Sequence, residues 1–149
     1  MRRSCLAAYA VYLAAAAYLV FWPQPDTPAG AVFDVLTLLQ RVGITFVPGL
    51  AVEFVLNVAL FVPLTLLGVL IWPRINPLQW VLTGVAATVL IEFIQYAALP
   101  DRSATLIDVV ANALGALIGV DLALRLRWLI RKRAAGTSGN PAATTRPGR

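Results

Sequence analysis

Four long hydrophobic runs occupy most of this chain, and their length decides what it can fold into. They cover about residues 5–22, 50–72, 78–99 and 105–130. About 20 consecutive apolar residues carry a helix across the hydrocarbon core of a bilayer. The expected fold is an all-α membrane protein, a bundle of four transmembrane helices. Composition agrees: of 149 residues, 60% are hydrophobic and 13% charged. Soluble domains sit nearer roughly half apolar and a quarter charged. One membrane domain over residues 1–133 leaves no room for a second folded unit. Residues 134–149, rich in Ala, Gly, Thr and Pro, are expected to form a disordered tail. Arg2 and Arg3 precede the first run, as in a signal peptide, but a secretory h-region is shorter, about 7–15 residues. The run is read as a span.

Basic residues orient the spans. An even number of crossings puts Arg2, Arg3, Arg74 and the group Arg125, Arg127, Arg131, Lys132 and Arg133 on one face. Cytoplasmic loops carry the excess of Lys and Arg. Both termini are then expected in the cytoplasm, with the long connection 23–49 and the Asp101–Arg102 turn outside. The net charge of +5 reads as orientation signal and contact with anionic lipid, not as a nucleic-acid footprint. Trp22, Trp72, Trp80 and Trp128 fall near span ends, where indole rings favour the interface. There is no histidine, and Cys5 is the single cysteine. That excludes an internal disulfide and a Cys-cluster zinc site. In the long connection, Asp34, Thr37 and Arg41 share one helical stripe and Val32, Leu36, Leu39 and Val42 another. This pattern fits a short amphipathic helix on the membrane surface or a loop packed on the bundle.

Three spans carry polar pairs: Glu53 with Asn57, Glu92 with Gln95, and Asp108 with Asn112. Ionisable groups in hydrocarbon are costly and usually face a bundle interior or a cavity. Residues three or four apart share a helix face. Counted at about 1.5 Å per residue, all three pairs fall in the outer half of the membrane. The turn above them holds Asp101 and Arg102. An arginine fork can bridge two carboxylates; the surplus carboxylates must hold a cation, meet water or take up a proton. Phe61, one turn below Asn57, is expected as the floor of a shared pocket. Gly115 and Gly119 form a G-x-x-x-G step for close helix approach. Pro63 interrupts the hydrogen-bond ladder of the second span. Asp121 pairs with Arg125 one turn on.

The second span reads Glu53-x3-Asn57-x3-Phe61-x-Pro63-Leu64. The next two read Ile91-Glu92-x2-Gln95, Arg102, and Asp108-x3-Asn112-x2-Gly115-x3-Gly119. In order and spacing these residues resemble the VanZ-like family of small bacterial membrane proteins, over about residues 50–120. The stretch between Arg102 and Asp108 lacks the acidic residue that family usually has, and Thr88 stands near Glu92 where a serine is common. The resemblance implies a multi-pass protein of the bacterial cell membrane and a role in resistance to glycopeptides, chiefly teicoplanin. The expected site is Glu53, Asn57, Glu92, Gln95, Arg102, Asp108 and Asn112. Its partners are membrane lipid and an envelope component such as a lipid-linked precursor or a glycopeptide. If the site is catalytic, Glu92, Asp108 and Arg102 are the candidates for acid–base or cation-assisted chemistry; the sequence leaves the cofactor unknown. Two other readings stand beside this one: a transport or ion-pathway protein, which at this size must oligomerise, and a structural subunit whose polar residues lock the helices.

Overall fold

A computed structural model describes residues 2–21, 26–98 and 105–137. The described residues form five helices: α1 (Arg2–Phe21), α2 (Asp26–Arg41), α3 (Gly49–Ile71), α4 (Pro77–Ala98) and α5 (Leu106–Thr137). Four of them, all but α2, are long and apolar enough to cross a membrane. The protein is a multi-pass all-α membrane protein. Helix α5 runs past the expected boundary at 133, to Thr137. The first two residues beyond it, Ala134 and Ala135, are the best of helix formers and continue the helix with little cost.

Local sequence sets the helix ends. Asn76 begins α4 as a capping box: its Oδ1 accepts the Leu78 N–H at 2.9 Å, and its own N–H donates to Gln79 Oε1 at 3.1 Å. Pro77 occupies the first helical position, where a missing N–H is harmless. Helix α2 ends in a Schellman motif. Ile44 N–H donates to Leu39 O at 2.9 Å and Gly43 N–H to Gln40 O at 3.0 Å. Gly43 sits at φ +87°, the left-handed position that glycine adopts without a Cβ clash. The connection 23–49 therefore contains a helix, and Val32, Leu36 and Leu39 of the apolar stripe are half-buried while Val42, past the helix end, is exposed. Val32 and Leu36 lie against Gly49 at the start of α3, while Asp34 and Arg41 are exposed.

Helices α3 and α5 run parallel and share the most extensive contact in the bundle. Gly115 and Gly119 make it possible. A methyl at Gly115 would overlap the Val58 carbonyl and Phe61 Cβ; one at Gly119 would overlap Thr65 Oγ1 and the Val62 carbonyl. The Thr65 hydroxyl, fully buried, donates across the seam to Ala116 O at 3.0 Å. Helix α4 crosses this pair antiparallel, with Gly84 against Ala116 and the Trp80 ring against Gly68. Val69, Val120 and Ala123 form the core here, flanked by Leu66, Leu70, Trp80 and Val81.

Helix α1 lies antiparallel on α3. Its Tyr9 hydroxyl donates to Leu64 O at 3.2 Å, and its Tyr12 hydroxyl donates to Leu60 O. Those carbonyls flank Pro63, inside α3. The Tyr9 ring meets Trp72 edge-on with centroids 5.6 Å apart, and Trp72 meets Trp80 at 5.8 Å. At the same end, Arg127 of α5 donates to the Val69 carbonyl near the close of α3, where helix carbonyls lack intrahelical donors. The start of α1 and the end of α5 thus share one end of the bundle.

Candidate functional site

The opposite end holds the polar residues, and their arrangement grows from the start of α5. Thr105 is the N-cap of that helix and Asp108 lies in its first turn. The first amides of a helix lack intrahelical acceptors, and negative charge is favoured beside them. Asp108 N–H donates to Thr105 Oγ1 at 3.2 Å, and that hydroxyl donates to Asp108 Oδ2 at 2.7 Å. In a capping box the third helical residue also accepts the N-cap N–H. Here a neighbouring helix does so: Thr105 N–H donates to Glu92 Oε2 of α4 at 3.0 Å. Asn57 Nδ2 of α3 donates to Asp108 Oδ1 at 2.6 Å. One run of hydrogen bonds joins three helices.

A second layer lies one turn deeper. Asn112 is 5% exposed; its Nδ2 donates to the buried Thr88 Oγ1 at 2.9 Å, and its Oδ1 has no partner among the described residues. Gln95 lies on the other side of Glu92, one turn nearer the end of α4, and its Nε2 donates to Val20 O of α1 at 3.0 Å. A cavity of about 760 Å³ adjoins both layers, a size typical of small-molecule sites, about 300–1,000 Å³. Glu53, Asn57, Glu92, Gln95, Asp108 and Asn112 all line it. The rest of the wall is mostly apolar, with Leu19 and Val20 from α1, Val32 from α2, and Leu56, Leu60 and Pro63 from α3. Glu53 is exposed at the rim.

Six of the seven residues expected from the sequence therefore meet at one wall, and Arg102, with Asp101, lies outside the described residues. Arg41 stays exposed at the end of α2 and is not part of the lining. Phe61 is not the floor. It is buried against Gly115, because the glycine draws that face of α3 into the helix seam; Leu60 and Pro63 line the cavity instead. Asp121 pairs with Arg125 at 2.6 Å on the exposed face of α5. Among the described residues, no three carboxylate, cysteine or histidine side chains gather as a metal site.

Thr105, Thr88 and Tyr12 stand outside the seven residues expected for the site. Thr105 had a signal, since Thr-x-x-Asp before an apolar run is close to a capping box. Thr88 had only the family resemblance, which puts a hydroxyl residue near Glu92, and Tyr12 had none, because an isolated tyrosine in an apolar helix says nothing about its face.

No match was found among curated proteins or among solved structures. The VanZ/LLP1 family model matches residues 9–129, taking in most of α1, all of α2, α3 and α4, and α5 as far as Leu129; the chain belongs to the VanZ/LLP1 family.

Proposed function

We propose that the cavity opens to the outer face of the bacterial cell membrane and binds a polar or lipid-linked component of the envelope. The observation that carries this reading is the convergence of six costly polar side chains on one wall of a ligand-sized space. Their number exceeds what one helix contact needs, and a concave, mostly apolar space with a few converging polar groups is the usual form of a binding site. Resistance to a glycopeptide such as teicoplanin is the phenotype that fits, because the target chemistry lies at the outer face. Glu92, Asp108 and Arg102 form the centre in this reading. Binding is favoured over covalent chemistry: the Thr105 hydroxyl is already engaged with Asp108, and Cys5 stands at the other end of α1.

A polar path through the protein has less support. Beyond Asn112, the contact closes around Phe61, Thr65, Gly115 and Gly119. The purely structural reading draws on the hydrogen bonds that join α3, α4 and α5. Glu92→Gln and Asp108→Asn separate it from the binding reading. Both variants are expected to accumulate as folded protein and to lose the envelope or resistance phenotype. Loss of folded protein in both, with no separate loss of phenotype, sinks the binding reading. Sidedness has its own test: with Cys5 replaced, a cysteine at Ser103 is expected to react with an impermeant reagent on intact cells, and one at Ser138 to be protected. The reverse pattern overturns the outward pocket.

A further inference from the structure

The cavity has two unlike walls. Its polar side chains come from α4, α5 and the first half of α3: Glu53, Asn57, Glu92, Gln95, Asp108 and Asn112. The lining on α1, on α2 and on α3 beyond Asn57 is apolar. Its one polar side-chain group among the described residues is the Tyr12 hydroxyl, already given to Leu60 O. This apolar side also reaches the outside of the bundle. Ala59 lines the cavity and is exposed. Val55, one turn earlier on the same stripe, is 62% exposed and lies outside the lining. The edge of the cavity on α3 therefore runs between these two residues, and an opening stands beside Ala59. Ala59 comes ten residues after Gly49, the start of α3, or about 15 Å along the helix. That is half of a hydrocarbon core about 30 Å thick. An opening at this depth meets lipid chains, not water.

What fills such a space follows from its chemistry. A buried water needs about two to four polar partners, and the side chains of the apolar wall offer no uncommitted one among the described residues. Hydrocarbon fits it. Lipid tails are as apolar as leucine, so a chain moving from the bilayer onto this wall changes its free energy little. The chain then decides which molecules can reach the polar wall, and the polar wall decides which of them stay. We infer that the cavity takes a membrane-resident amphiphile, its hydrocarbon chain entering sideways from the bilayer past Ala59 and its head lying against the polar residues of α4 and α5. This inference rests on the reading of the cavity as a binding site. It narrows the ligand from any polar envelope component to one that carries a chain.

The test uses the full chain in phosphatidylcholine nanodiscs. Three probes share a dodecyl chain ending in a diazirine and carry a glycerol, a phosphate or an ammonium head, so that head charge is sampled and not assumed. Photolabelling of Leu60, in the cavity lining, is expected to saturate with at least one probe. Labelling of Val55, on the exposed face, should rise in proportion to the probe. The dodecyl compound with the same head and no diazirine should displace the Leu60 label, and its butyl counterpart should not. Ala59→Trp should lower the Leu60 label at least about tenfold, and Val55→Trp should leave it unchanged; Ala59→Phe serves if the first variant does not fold. Displacement by the butyl compound as effective as by the dodecyl overturns the chain while the pocket survives. A Leu60 label equal in the wild type and in the Ala59 variant overturns the sideways entry. No saturable label with any of the three heads overturns the inference as a whole. The proposed function is judged separately by Glu92→Gln and Asp108→Asn, whose loss of phenotype requires no chain, so the two failures are distinguishable.

Discussion

The contact between α3 and α5 is built in two ways along its length. Toward the ends of the helices, Gly115 and Gly119 bring backbone against backbone, and Thr65 adds a hydrogen bond across the seam. Toward the starts, side chains do the joining, with Asn57 reaching Asp108 and Thr105 anchored to Glu92. In lipid there is little hydrophobic drive between helices, so close packing and interhelical hydrogen bonds carry association. The glycine seam uses the first and leaves no space. The polar end uses the second, and the side chains that make those bonds also line the cavity. One helix pair thus supplies both a clamp and an opening, and only the opening is open to ligand chemistry.

This contrast can be broken by substitution. Gly119→Leu should have the largest effect, because its side chain meets backbone and a buried hydroxyl that cannot yield; a loss of about 3 kcal/mol is expected for such overpacking. Thermal unfolding in detergent measures it, and wild-type stability would remove the clamp from the account. Asp108→Ala leaves the Asn57 and Thr105 donors unmatched, an effect of about 2 kcal/mol in the same assay. Thr65→Val deletes one interhelical hydrogen bond while keeping the shape, and should cost about 0.6 kcal/mol. Tyr12→Phe should cost a similar amount, about 0.6 kcal/mol, with α1 more accessible to proteolysis. Glu53→Gln should leave the melting temperature unchanged and still reduce ligand binding or phenotype. If instead it destabilises the bundle as much as Asp108→Ala, the two ends of the contact do not divide labour as described.

Much of this was legible in the sequence, for definite reasons. Hydropathy and length give the four spans, since lipid accepts little else. The rise and period of a helix give depth and face, which is why Glu53, Asn57, Glu92, Gln95, Asp108 and Asn112 were expected together and line one cavity. Gly115 and Gly119 announced a close approach, and Asp121 its pairing with Arg125. The rotation of each helix about its own axis was not legible, because packing sets it. That rotation decides that Phe61 enters the seam and Leu60 the cavity. It also decides that Tyr9 and Tyr12 reach α3 on either side of Pro63. The Asn76-Pro77-Leu78-Gln79 cap was readable from local rules alone; the Glu92 bond to Thr105 was not, since it joins two helices.

That last bond has a consequence for biogenesis. The first turn of α5 receives part of its cap from α4, so it is complete only when the preceding span lies beside it. During synthesis the chain therefore gains most by inserting these two spans as a hairpin, and α5 emerging alone begins with an unmet amide. Severing the chain between them would separate a helix from its own starting point.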